Sequence, residues 1–154
     1  MSERVTVGAH PWVFAAKQPK YDIFPIIGDV FSDIAYAGFD GIELMHIPLL
    51  HDDAVGVIED LSAEHELPVI GSSFGGAMWD SAKEMEVLSQ AATVAEALDE
   101  LGGRTLGIST GAAPERKTPQ QLDQQAGVLK DIAAICRAHG LQMNLHNHTY
   151  EVQD

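Results

Sequence analysis

Gly140-Leu-Gln-Met-Asn-Leu-His-Asn-His-Thr-Tyr-Glu-Val-Gln-Asp154 closes the chain, and its reading decides the fold. Gly140 is placed to stop a helix, and the apolar run over 141–145 reads as a buried strand. His146, His148 and Glu151 follow at once. Two imidazoles and a carboxylate at the carboxyl end of a strand stand where α/β enzymes gather their chemistry.

Working back from that stretch, the same joint recurs three times. Ala37-Gly-Phe-Asp-Gly-Ile-Glu-Leu44, Glu64-His-Glu-Leu-Pro-Val-Ile-Gly71 and Leu101-Gly-Gly-Arg-Thr-Leu-Gly-Ile108 are each a helix end, a tight turn and a buried strand. Strands are expected over 5–9, 41–45, 67–71, 104–108 and 141–145, with four intervening helices over 23–37, 52–65, 81–101 and 118–139. Thr118-Pro-Gln-Gln121 supplies an N-cap, a first-turn proline and a glutamine at the third helical position. Leu122, Ala126, Leu129, Ile132, Ala133 and Cys136 fall on one face of that last helix. The helix-to-strand turns are short. The strand-to-helix loops are longer and hold the unusual residues, which places the functional face at the strand C-termini.

Composition narrows the function. Net charge is −14, from 23 acidic against 9 basic residues. Nucleic acid and anionic membranes are poor partners for such a surface, because phosphate contacts need clustered Lys and Arg. No segment is apolar enough to span a membrane, and the first residues carry no long apolar run. A cytoplasmic location is expected. Cys136, the single cysteine, reads as a small buried hydrophobe rather than a nucleophile. No linker or low-complexity run interrupts 1–154, which reads as a single domain.

Five parallel strands suit either an open flavodoxin-type sheet or part of a (β/α)8 TIM barrel. The open sheet calls for a phosphate-cradling turn or an acidic cluster after its first strand. His10-Pro-Trp-Val-Phe14 stands there instead. A complete barrel needs about 250 residues.

Gly38-Phe-Asp-Gly-Ile-Glu-Leu44, Gly71-Ser-Ser-Phe-Gly75, Leu101-Gly-Gly-Arg-Thr-Leu-Gly107 and the 140–151 stretch together resemble the xylose-isomerase-like TIM-barrel superfamily, which includes sugar (phosphate) isomerases and epimerases, inosose-type dehydratases and endonuclease-IV-like nucleases. The resemblance covers the first five βα units, so strands six to eight are absent from the sequence. It implies proton transfer next to the carbonyl of a small-molecule sugar or polyol, assisted by one divalent metal of the Mn, Mg, Co or Zn class. A cyclic-polyol dehydratase is the alternative chemistry. The nuclease branch is disfavoured, since its histidine ligands at the third and fourth strand ends are missing from Gly71-Ser-Ser-Phe and Gly107-Ile-Ser-Thr.

Carried onto this chain, the resemblance implies Glu151 as a metal ligand and His146 or His148 as proton shuttle or substrate contact. The competing reading leaves Glu151 a solvated loop residue. Glu43 interrupts an apolar strand, and an unpaired buried carboxylate is costly, so it is either paired in the barrel interior or facing the pocket. His10 and Trp12 are candidates for one pocket wall, with core packing an equal reading for Trp12. His46 and His51 read as solvent-facing, and Met78-Trp79 as either an apolar lip or a hydrophobic anchor. Five strands alone leave two open sheet edges and half an apolar interior, which predicts association. An inactive partial barrel, a homo-oligomer, or a subunit needing another chain are therefore expectations of a different class.

Overall fold

The computed structural model describes residues 5–151. One sheet holds five parallel strands in sequence order: β1 (Gly8–Ala9), β2 (Gly41–Met45), β3 (Val69–Gly75), β4 (Thr105–Ser109) and β5 (Gln142–Leu145). Each strand pairs with its sequence neighbour, as the wall of a (β/α)8 barrel requires and a flavodoxin-type order does not. Four helices make the crossovers: α2 (Ile27–Tyr36), α3 (Ala54–Glu64), α4 (Glu84–Glu100) and α5 (Pro119–Ala138). A one-turn α1 (Trp12–Ala15), which the sequence pattern does not announce, precedes them. The chain is thus five parallel strands of a TIM barrel with its helices on the outer face.

The core lies between sheet and helices. Ile42, Leu44, Leu106 and Ile108 meet Val30, Phe31, Ile34, Ile58, Val94, Leu98 and Ile132 in one buried cluster. Cys136 is free and buried among them. The predicted capping box is formed at α5: Thr118 Oγ1 accepts from Gln121 N at 3.3 Å, and Gln121 Oε1 accepts from Thr118 N at 2.9 Å.

Several boundaries differ from the sequence reading. β1 is two residues long, with Val5 and Val7 exposed. There the Asp40 carboxylate accepts from Val7 N (2.9 Å) in place of a ladder partner. Helix α2 starts at Ile27, because Pro25 and the Asp22 side chain, which accepts from Phe24 N, shape a 3₁₀ turn over Phe24–Ile26 first. β3 runs on to Gly75, so Ser72 and Ser73 belong to a strand. Along α5 the buried residues are Val128, Ile132 and Cys136, while Leu122 and Ala126 are exposed. The first turns of α5 reach α4 through a polar bond, Gln124 Nε2 to Glu84 Oε2 at 2.8 Å.

The concave face mixes polar groups with its apolar ones, Glu43 standing beside Met45 on β2. Strand alternation turns Leu106 and Ile108 towards the helices and Thr105, Gly107 and Ser109 the other way. Gln142 and Asn144 hydrogen-bond each other at 3.0 Å on β5. Among the described residues, no helix is long and apolar enough to cross a membrane.

Candidate active site

A cavity of about 480 Å³ opens at the carboxyl ends of the strands. β2 supplies Glu43 and Met45, β3 supplies Ser73 and Gly75, and β4 supplies Gly107 and Ser109. His10, Trp12 and His46 enter from the loops after β1 and β2, and His146 and His148 from the residues after β5. Parallel strands with right-handed crossovers bring all these loops to one end of the sheet. Four of the chain's seven histidines line this one space.

Burial favours the neutral form of two of the imidazoles. His10 Nε2 lies 3.1 Å from Ser73 Oγ. Burial depresses its pKa below the usual imidazole value; the Glu43 carboxylate opposes that shift and His146 adds to it. His46 packs edge-on against Phe74, with ring centroids 4.9 Å apart. Burial lowers its pKa also, against a hydrogen bond to the Ser73 backbone. The expectation of a solvent-facing His46 is therefore corrected. His51 does stand exposed, paired with Asp22 at 2.9 Å and stacked on Phe24.

Glu151 does not line the cavity. It sits behind His148 with its side chain 1% exposed. Its Oε1 accepts from Ser109 Oγ (2.7 Å) and Gly111 N (2.6 Å), and its Oε2 from His148 N (2.7 Å) and His148 Nδ1 (3.0 Å). Burial alone would raise this carboxyl's pKa. The donors from the His148 backbone, Ser109, the His148 ring and Gly111 prevail and bring it down to about 2. An ionised carboxylate only accepts, so His148 Nδ1 must carry a proton, and in the neutral ring Nε2 keeps the lone pair. His146 meets His148 edge-on at 4.9 Å.

His10, Trp12, Glu43, His146 and His148 are brought together around one cavity. The reading of Glu151 as a solvated loop residue is corrected by its burial. As a metal ligand it would have to give up donors, since four already occupy its two oxygens. Among the described residues, no three His, Cys, Asp or Glu side chains converge to hold a metal ion. The described side chains do not by themselves make a complete divalent-metal site. Met78 is wholly buried, an anchor rather than a lip. Sequence reasoning missed His46, Ser73, Gly107 and Ser109. Only the run of small residues at the ends of β3 and β4 hinted at the last three.

Similarity to known proteins follows the same geometry. The family model described as xylose isomerase-like TIM barrel matches residues 31–154. Among curated proteins, no match was found. A solved D-allulose 3-epimerase from Methylomonas sp. superposes with a TM-score of 0.72 at 21% identity, over 94% of this chain and 52% of that one. A 3-keto-D-glucoside 4-epimerase from E. coli gives 0.71 at 20% identity, over 92% of this chain and 56% of that one. An L-ribulose 3-epimerase gives 0.68 at 23%, over 92% and 49%. The chain spans about half the length of these structures, and at such identities the likeness is one of fold. With a family match over most of its length and this strand order, the chain belongs to the xylose isomerase-like TIM barrel family.

Proposed function

We propose that this chain carries the proton-transfer pocket of a sugar isomerase or epimerase acting next to the carbonyl of a small keto-sugar or polyol. The observation that carries the reading is one cavity at the strand C-termini where a carboxylate, Glu43, faces His10, His146 and His148. Family membership and the epimerase neighbours support it as analogy.

In this reading Glu43 and His10 hold substrate hydroxyls and Trp12 closes one wall. His148, its Nδ1–H fixed on Glu151, takes the proton at Nε2 from the carbon beside the carbonyl. The C–H electron pair becomes the C=C bond of an enediol, while His146 gives a proton to the carbonyl oxygen. Return of a proton to the neighbouring carbon isomerises the sugar; return to the opposite face of the same carbon epimerises it. A divalent metal, as the family resemblance implies, would polarise that oxygen. It needs ligands beyond those that converge among the described residues.

The test is solvent exchange. The protein is incubated in D2O with ketohexoses, with and without Mn²⁺, Mg²⁺ or Co²⁺, and followed by proton NMR. The signal of the carbon-bound hydrogen beside the carbonyl should fade and an isomer or epimer appear. His148→Ala should slow exchange by about 100-fold or more. No exchange with any sugar under any of these conditions would refute the reading.

A further inference from the structure

We propose that Gly107 determines what the pocket floor admits, by leaving between Glu43 and His146 the space for one hydroxyl-bearing carbon of a polyol chain. This inference rests on the sugar-binding reading above and deepens it.

The strand glycines fall into two kinds. A Cβ at Gly41 would lie 2.6 Å from Ile70 Cγ2 and 3.0 Å from Pro68 O; at Gly71 it would run into Thr105 Oγ1 and come within 2.8 Å of Thr105 O. Those glycines are demanded by packing. Gly107 is not. A Cβ there would meet Glu43 Oε1 at 3.8 Å, His146 Cβ at 3.9 Å and Ser72 O at 3.9 Å, all ordinary contacts. Nor does Gly107 belong to the glycines with positive φ, which are Gly38, Gly102, Gly111 and Gly140. Glycine inside a strand costs roughly 0.5–1 kcal/mol relative to alanine, and at this position neither packing nor backbone geometry gives that back.

What the missing methyl leaves is cavity. Gly107 lines the floor, with the Glu43 carboxylate on one side and the His146 side chain on the other. A carboxylate oxygen facing that space calls for a hydrogen-bond donor. A secondary alcohol carbon is small enough to enter, and its O–H can donate to Glu43 Oε1. An alanine methyl would take the same volume and put carbon against that oxygen.

The experiment compares wild type with Gly107→Ala by calorimetric titration against two probes, a ketohexose and dihydroxyacetone. The three-carbon sugar has no chain carbon left to reach the floor. Gly107→Ala should raise the ketohexose Kd about tenfold or more and leave that of dihydroxyacetone within about twofold. Its Tm should be equal to or above that of wild type. Equal ketohexose affinity in both proteins overturns the assignment of Gly107 alone. A lowered Tm overturns it as well, since the glycine would then serve packing. If the wild type binds neither sugar, the function reading itself fails, and this inference with it.

Discussion

Glu151 shows how one side chain can tie two loops together. Its carboxylate joins Ser109 and Gly111, at and beyond the end of β4, to His148 beyond β5. Because its folded pKa is lowered from 4.5 to about 2, its stabilisation is fully present above about pH 4.5 and is lost as pH falls towards 2. Glu151→Gln would aim an amide donor at one pair of these donors. We expect a loss of about 2 kcal/mol in urea unfolding at pH 7, with most of the gap gone at pH 2.5. The same gap at both pH values would contradict an ionised clasp. At this scale the sequence was partly legible. Glu43 announced itself as a charge inside an apolar strand, and His146 and His148 by their place after one. His46 did not, because Phe74, which covers it, comes from β3 and leaves no mark on the residues around Pro48.

At the scale of elements, strand order was readable because every helix-to-strand joint repeats, and the α5 cap because Thr118-Pro-Gln-Gln is a local signal. The end of β3 and the length of β1 were not. Both depend on neighbours: Ser72 and Ser73 become strand by pairing with Leu44 and Met45 on one side and with Leu106 and Gly107 on the other, and among the described residues β1 pairs with Gly41 and Ile42 alone. β5 is the exposed element. Among the described residues it pairs with β4 alone, and Leu145 is 62% exposed. An open strand edge with an exposed leucine is a template for a further strand, whether of this protein or of another chain. Sedimentation velocity should show the apparent mass of the 154-residue chain rising with concentration, and Leu145→Lys should suppress the rise. A monomer of constant mass at every concentration would contradict an adhesive β5 edge.

For the whole molecule, the sheet puts one apolar side under the helices and turns the other, where Glu43, serines and glycines stand among apolar side chains, towards a cavity at the strand ends. The direction of that arrangement followed from loop lengths in the sequence. The cavity's contents did not, because they are assembled from all five βα units. The seven histidines make the site directly observable: His10, His46, His146 and His148 line it, and His51, His65 and His139 do not. The measurement to make is a titration of the protein with a ketohexose at pH 7, with and without a divalent cation, following the seven imidazole C–H resonances by NMR. Saturable shifts confined to the four cavity histidines are the predicted result. Shifts confined to His51, His65 or His139, or none at any sugar concentration, would contradict the assignment of this cavity as the substrate site.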